Sequence, residues 1–196
     1  MKDFHKEAMN VKTSFMRSKY VEAAKTIILR DGVQSVTVRG IGEITGYSYP
    51  MIYHYFRDLN ELLLETKLTM IGEMTPDRDM QPIQAKDPVE LKKQQARQMI
   101  GFFIDNPNIF TFFFQHKLDE SNIEKMRGLN LEALYYGDFE PLVRRGAIRQ
   151  DDIPPIARAI TFLVFGAVTL YMSGNGLTKE EAMETVDSAV GLLLKG

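Results

Sequence analysis

The chain has no cysteine and only three histidines in 196 residues. Without cysteine it can form neither a disulfide bond nor a metal site with thiolate ligands, which agrees with a reducing cytoplasm. The sequence also lacks a glycine-rich phosphate-binding loop and any arrangement of a nucleophile beside a base. We therefore expect a protein that is not an enzyme and that holds no cofactor.

One group of metal-binding residue types is present, since His116 and Glu120 are four residues apart with Asp119 between them. On a helix, His116 and Glu120 would share one face and offer two metal ligands. Most pairs of this kind are surface ion pairs or have no role. We expect no metal at this position.

Long apolar runs are scarce as well. The first ten residues, MKDFHKEAMN, contain no apolar core of the kind that a secretion signal needs. Residues 159–178 contain no charged side chain, but their continuously apolar part ends near Met172, short of the roughly 20 residues of a membrane span. We expect a cytoplasmic protein in which this segment is a helix buried in an interface.

Strand signals are absent, because no segment alternates apolar and polar residues between hairpin turns. Helix-start signals recur instead. The spacing of a capping box is found at Asp58 with Glu61, at Ser121 with Glu124 and at Thr178 with Glu181. Asp87 directly precedes a proline, which is tolerated in the first turn of a helix. The predicted fold class is all-α, with helices over 59–75, 88–105, 121–145, 154–173 and 179–195.

Residues 37–56, TVRGIGEITGYSYPMIYHYF, predict two short helices joined by a turn at Gly46. Thr37 can cap the first helix with its hydroxyl oxygen, and Gly46 can end it in the left-handed backbone conformation. Ser48 can cap the second helix, with Pro50 in its first turn, where the missing N–H costs little.

The apolar residues of this stretch assign its inner faces. Val38, Ile41 and Ile44 recur at a spacing of three, and Ile52 and Phe56 lie one helical turn apart. Polar aromatic residues are left on the outer faces of the second helix: Tyr49, Tyr53, His54 and Tyr55. A short exposed helix with such side chains fits the major groove of DNA, although helix–turn–helix corners also occur in many other all-α proteins.

The net charge of −2 is unevenly distributed. Residues 1–60 hold nine Lys or Arg and six Asp or Glu, a balance of +3, which leaves −5 for residues 61–196. A basic end on an acidic body suits a protein that meets phosphate with one end only.

Residues 17–64 resemble the N-terminal domain of the tetracycline-repressor (TetR) family of transcriptional regulators. The resemblance is carried, in order and without a gap, by Ala23-Ala24 before Gly32, Thr37-Val38-Arg39 with Ile41, Gly46, Ser48, Ile52-Tyr53, Phe56 and Leu62-Leu63. Two positions depart from the family pattern. Gly42 replaces the usual alanine, and Leu59 stands where the family often has a phosphate-binding lysine, for which Arg57 could substitute.

The resemblance implies a DNA-binding regulator, and we expect a repressor that a small, largely apolar effector releases from a palindromic operator. It implies a three-helix helix–turn–helix domain over residues 1–60 and a larger helical domain for effector binding and dimerisation over 61–196. Tyr49 and His54 are predicted to contact bases. The other predicted DNA-binding residues, mostly toward phosphate, are Thr37, Arg39, Ser48, Pro50, Tyr53 and Tyr55.

The resemblance also implies an effector pocket with aromatic and aliphatic walls. The predicted ligand-binding residues are Phe102, Phe103, Phe113, Tyr135 and Phe162. The last two helices would form a four-helix bundle with a second copy of the chain, because their apolar faces are too broad for one domain to cover. A different interpretation stays open, in which the chain is an α-helical small-molecule binding protein without a DNA role.

Overall fold

The computed structural model describes residues 2–73, 85–128 and 136–194, and the regular structure within these ranges is helical, which confirms the all-α class. In chain order the α-helices are α1 (Lys2–Asp31), α2 (Val38–Thr45), α3 (Leu59–Glu73), α4 (Pro88–Asp105), α5 (Pro107–Phe110), α6 (Glu120–Gly128), α7 (Glu140–Arg144), α8 (Ile153–Met172) and α9 (Lys179–Leu193). A 3-10 helix, Tyr49–His54, lies between α2 and α3, and a π-helical turn, Thr111–Gln115, follows α5.

The chain forms two compact units. One consists of Met1–Arg78 with Pro107–Lys125, and the other of Asp79–Asn106 with Met126–Gly196. Because α3 packs against α1, it belongs to the same unit as the helix–turn–helix stretch. This division by packing therefore differs from the domain boundary at residue 60 that the sequence predicted. That boundary separates functions, and it stays a prediction.

The core of the first unit is built on α1, which packs against α2 and α3. An apolar stripe of α1 faces this core, since Tyr20, Ala24, Ile27 and Ile28 are all at most 3% exposed. Ala24 follows Tyr20 by four residues, and Ile27 and Ile28 follow Ala24 by three and four, so they share one face of the helix. Burying a large apolar side chain of this kind stabilises the fold by roughly 1.5–3 kcal/mol. α1 ends at Asp31, directly before Gly32, which has a φ of 84°.

The second unit is built on α4, which packs against both α8 and α9. The capping box predicted at the start of α9 is confirmed: the Glu181 N–H donates to Thr178 Oγ1 at 3.1 Å, and the Thr178 N–H donates to Glu181 Oε2 at 2.9 Å. Arg97 on α4 forms an ion pair with Asp187 on α9. The predicted bounds of α4 are confirmed, and those of α8 and α9 agree to within two residues.

At α4, Asp87 occupies the N-cap position before Pro88, but its side chain makes no cap hydrogen bond and pairs with Arg145. The capping box predicted for Ser121 and Glu124 is wrong. At α6 the cap is Asp119, whose Oδ1 accepts from the Asn122 N–H at 2.8 Å and from the Ser121 hydroxyl at 3.0 Å. The single α-helix predicted over 121–145 is also wrong, since residues 136–139 have 3-10 geometry and α7 occupies only Glu140–Arg144.

The segment that contains α8 has an unusual exposure. By length and composition, Gln150–Met172 is long and apolar enough to cross a membrane. Only 17% of its most apolar 18-residue stretch is buried within the single chain. Phe162 and Leu170 are 66% and 52% exposed. The helix therefore presents a largely uncovered apolar face in the single chain.

Candidate nucleic-acid interface

The first helix of the candidate interface, α2, begins and ends as its sequence predicts. Thr37 has an extended backbone, and its Oγ1 accepts from the Gly40 N–H at 3.0 Å. Gly46 has the left-handed conformation, with a φ of 75°, and its N–H donates to the Gly42 carbonyl at 2.9 Å. Both predictions, the Thr37 cap and the turn at Gly46, are confirmed.

The turn approaches α2 closely at Gly42. A Cβ atom at this position would lie 2.9 Å from the Tyr47 carbonyl oxygen and 3.5 Å from the Tyr49 backbone nitrogen. Real Cβ atoms essentially never show a contact as short as the first of these. The departure at Gly42 therefore has a steric reason, because the backbone that leads into the next element fills the space of a side chain.

The second helix of the predicted pair is shorter and tighter than expected. Tyr49–His54, called here the recognition element, is a 3-10 helix and not an α-helix reaching Phe56. Pro50 lies in its first turn as predicted. Ser48 occupies the predicted N-cap position with an extended backbone, but its side chain makes no cap hydrogen bond.

The recognition element has the predicted inner and outer sides. Ile52 is 3% exposed and Phe56, just beyond the element, is 1% exposed. Tyr49 and Tyr53 are 62% and 56% exposed, and His54 is exposed as well. An apolar pair thus anchors the element and leaves two phenols and an imidazole facing solvent, where they can donate and accept hydrogen bonds.

Tyr55 is only half-buried and packs inward, with its ring centroid 5.7 Å from that of Tyr20. Tyr47 packs against the same ring at 6.3 Å. Burial raises the pKa of Tyr20, whose hydroxyl has no hydrogen-bond partner among the residues that the structure describes. Tyr55 is therefore partly a packing residue, which a pattern of polar aromatics could not reveal.

The inner face predicted for α2 needs one correction. Ile41 is fully buried and Val38 is half-buried, but Ile44 is 45% exposed. A spacing of three drifts around a helix of 3.6 residues per turn, so only the central residue points into the core. Tyr47 and Met51 are each 37% exposed. Together with Ile44 they add exposed apolar surface that was not predicted from the sequence.

Arg17 on α1 holds the end of the recognition element, a role that was not predicted from the sequence. Its guanidinium donates to the Tyr55 carbonyl oxygen, pairs with Glu65 and Glu61 on α3, and lies 4.2 Å from the centroid of the Phe56 ring. The only signal in the sequence was the spacing of the two glutamates, which lie one helical turn apart and can bind one cation.

Glu61 joins this arrangement to the start of α3. Its Oε2 accepts from the Arg57 N–H at 2.8 Å, while the Glu61 N–H donates to Asp58 Oδ1 at 2.8 Å. The Arg57 amide and the Arg17 guanidinium hold the pKa of Glu61 below its usual value. The capping box predicted for Asp58 and Glu61 is thus present in a shifted form, with the reciprocal bond one residue earlier.

The cationic side chains near the interface are exposed and paired with acids. Arg39 has 86% of its side chain exposed and contacts Glu43 at 3.1 Å, a surface pair of the kind that is easily exchanged. Arg57 contacts Asp58 at 2.9 Å and Asp119 at 3.8 Å. Leu59 is half-buried. Arg57 is therefore the cation nearest in sequence to the position of Leu59, but two carboxylates already neutralise it.

The predicted ligand-binding residues do not line one enclosed site within a unit. Phe102 and Phe103 on α4 are neighbours, with ring centroids 5.4 Å apart, and Phe103 also contacts Phe165 at 6.1 Å. Phe162 is 66% exposed in the single chain, and its assignment as a ligand-binding residue stays a prediction. Phe113 is half-buried in the π-helical turn of the other unit, and Tyr135 lies outside the described residues.

His116, Asp119 and Glu120, the residues considered for a metal site, do not form a three-ligand group in the structure. No group of three or more His, Cys, Asp or Glu residues that could hold a metal ion occurs in the described ranges. His116 is half-buried, with its ring centroid 6.0 Å from that of Phe112, and Asp119 caps α6. Burial and the nearby charge of Lys67 lower the pKa of His116.

Residues 21–66 match the family described as bacterial regulatory proteins, tetR family. Among curated proteins, none matches the sequence. The fold resembles RolR in complex with resorcinol (TM-score 0.68, 16% identity, 93% of this chain and 89% of that chain). It also resembles Thermus thermophilus FadR in complex with lauroyl-CoA (0.66, 19%, 92% and 94%) and a TetR-family regulator from Rhodococcus sp. (0.63, 17%, 91% and 98%).

An all-α chain with a capped helix, a glycine turn and an exposed aromatic element is a helix–turn–helix protein. Residues 21–66 therefore match the tetR family of bacterial regulatory proteins, and the fold is shared along most of the chain with TetR-family regulators. Members of this family are DNA-binding regulators, often responsive to a ligand, and not enzymes.

Proposed function

We propose that the chain is a cytoplasmic repressor that binds a palindromic operator as a homodimer through the recognition element. The observation that carries this proposal is the two-sidedness of that element. Ile52 and Phe56 hold it to the core, while Tyr49 and Tyr53 have more than half of their surfaces exposed. Side chains on such a fixed, protruding element can reach base edges in the major groove without disturbing the domain that carries them.

Phosphate contacts come from the residues around the element. Thr37 is exposed at the N-terminus of α2, where helix amides and the helix dipole favour an anion. Arg39 is on the same turn, and a phosphate would replace Glu43 as its partner. Ser48 and Pro50 are both exposed, and we assign them to contacts with DNA at the start of the recognition element. We assign Tyr49 and His54 to contacts with the bases.

Dimerisation accounts for the uncovered apolar face of α8. Only 17% of its most apolar window is buried, and Leu192 on α9 is 73% exposed. A second copy that packs α8 and α9 into a four-helix bundle would cover this surface by ordinary helix packing. Because a two-fold dimer presents two identical recognition elements, the operator it reads would be palindromic.

The effector is a small molecule with a substantial apolar part. The residues predicted from the sequence to contact it stay candidates: Phe102, Phe103, Phe113, Tyr135 and Phe162. The fold is shared with proteins bound to resorcinol and to lauroyl-CoA, two ligands that combine an apolar body with polar groups. Release of the operator would follow if the effector binds the DNA-free arrangement more tightly.

The proposal is tested by selecting bound fragments from random double-stranded DNA with the purified chain. The sequences recovered are expected to be palindromic, with half-sites one helical turn or a multiple of it apart. Binding measured by fluorescence anisotropy should weaken steeply as salt rises. A chain that retains no DNA at low salt would instead be a small-molecule binding protein without a DNA role, and the proposal would be wrong.

A further inference from the structure

Lys67 on α3 is a buried cation that has no carboxylate partner among the described residues. It is 3% exposed, and among the described residues its ammonium contacts only the Phe113 carbonyl oxygen, at 3.3 Å, and the face of the Phe112 ring, at 5.1 Å. An ammonium has three donors, so this environment leaves it incompletely bound. A buried charge in this condition is costly unless something else pairs with it.

The second buried lysine of the described chain provides a contrast. Lys92 on α4 is 6% exposed, and its ammonium lies 3.6 Å from Asp138 and 4.0 Å from the centroid of the Phe139 ring. It therefore has both a carboxylate and an aromatic partner. Lys67 has an aromatic ring and the Phe113 carbonyl oxygen, and no described residue supplies a carboxylate to it.

His116 supplies a second incompletely bound group beside the same phenylalanine. Its Nε2 atom is buried and has no hydrogen-bond partner among the described residues. Its ring centroid lies 6.0 Å from that of Phe112, and it feels the charge of Lys67. In the neutral tautomer with the proton on Nε2, the imidazole can donate one hydrogen bond to an acceptor there.

An irregular backbone brings these groups together. The His116 N–H donates to the Thr111 carbonyl at 2.8 Å, a bond that closes one π-helical turn. This turn directs Phe112 into the core at 0% exposure and leaves Phe114 43% exposed. Single π turns are rare and often lie at functional sites, because they turn side chains and a carbonyl away from helical positions.

We propose that Lys67 and His116 bind the carboxylate of an amphipathic organic acid, whose apolar part lies against the phenylalanines of the π-helical turn. A carboxylate supplies the charge that Lys67 lacks and the acceptor that His116 Nε2 lacks. A cationic ligand would be repelled by the ammonium, and a neutral one would leave it uncompensated. The inference rests on the proposed function, since it gives the effector an acidic group.

The test uses isothermal titration of the full-length protein with four probes: benzoate, octanoate and their neutral primary amides. We expect at least one carboxylate to bind at millimolar concentration or better, and its amide to bind about ten- to a hundredfold more weakly. Comparing benzoate with octanoate distinguishes an aromatic from a straight-chain acid.

Three variants locate the binding. Lys67→Met keeps the length of the side chain and removes the buried charge, so it should fold and lose the preference for the acid over the amide. His116→Phe should weaken the acid about tenfold or less, since it removes one hydrogen bond. Lys92→Met is the matched control, because it removes a buried lysine that already has a carboxylate, and it should bind the acid as the native chain does.

Either of two results would overturn the inference. One is that no carboxylate of the panel binds, and the other is that the preference for acid over amide survives in a folded Lys67→Met protein. Both are separable from a failure of the proposed function, because operator binding is measured on the same preparations without any ligand. A chain that binds DNA but no acid keeps the proposed function and loses only this inference.

Discussion

The close approach at Gly42 leads to a prediction in which two effects have opposite signs. Replacing a glycine within a helix by alanine stabilises the folded state by roughly 0.5–1 kcal/mol, because alanine loses less backbone entropy. At Gly42, however, the new methyl group would lie 2.9 Å from the Tyr47 carbonyl oxygen. That atom belongs to the backbone of the turn, so no side-chain rotation can relieve the contact.

The steric effect should win. Inserting a methyl group into a packed region that cannot relax costs about 1–3 kcal/mol, which exceeds the gain in helix propensity. We therefore expect Gly42→Ala to lower the free energy of unfolding by about 0–2 kcal/mol. If the turn shifts to admit the methyl group, Tyr49 and the recognition element move with it, and operator affinity should fall by more than the stability does.

The measurement is urea unfolding followed by circular dichroism, together with operator affinity by fluorescence anisotropy. Gly72→Ala is the matched control, because a Cβ on this glycine of α3 would meet nothing within 4 Å. It should raise the free energy of unfolding by up to about 1 kcal/mol and leave operator affinity unchanged. If Gly42→Ala stabilises the protein as much as Gly72→Ala does and binds the operator normally, the steric reasoning is refuted.

Four further predictions follow from the same contacts. Tyr53→Ala should weaken operator binding by about 1–3 kcal/mol with little effect on unfolding, whereas Phe56→Ala should lower the free energy of unfolding by about 3–5 kcal/mol. Arg17→Met should cost about 1–3 kcal/mol in urea unfolding, because it removes charged hydrogen bonds at the end of the recognition element. Phe162→Glu should yield a folded monomer by light scattering, where the proposed function expects the native chain to be a dimer. Burial lowers the pKa of Lys67 to about 8 from 10.5, so the unfolded chain binds more protons between these values. Stability should therefore rise with pH across that window, and Lys67→Met should reduce the rise.

The local signals in the sequence predicted the helix boundaries well where one residue determines the backbone. Thr37, Gly46 and the pair Thr178 and Glu181 act through bonds or conformations within one turn of themselves, so their neighbours in space are their neighbours in sequence. Ser48 also occupies an N-cap position, but its hydroxyl accepts no hydrogen bond from the 3-10 helix that follows.

The sequence predicted the exposed aromatic residues of the candidate interface. It did not predict the side chains that hold the recognition element in place. Tyr49 and Tyr53 follow from the buried pair Ile52 and Phe56, because a short helix has only one inner face. The role of Arg17 depends on partners 38 to 48 residues away, and no periodicity reports such a distance. Lys67 was equally hidden, since a lysine within an amphipathic helix is ordinarily a solvated residue.

The burial of α3 explains why Lys67 departs from that rule and why this departure bears on control. Leu62, Leu63, Leu64 and Met70 are all at most 5% exposed, so the helix is covered on more than one face and a lysine within it has no route to solvent. The same helix carries Glu61 and Glu65, which hold Arg17, and Arg17 in turn holds the Tyr55 carbonyl at the end of the recognition element. Lys67 follows Glu65 by two residues, about 3 Å along the helix axis. Under the proposed function, an acid bound at Lys67 and a DNA base bound at Tyr49 or His54 are therefore connected through α3 and Arg17. Binding of one ligand can change the affinity for the other only if the two ligands prefer different positions of α3, or the same one.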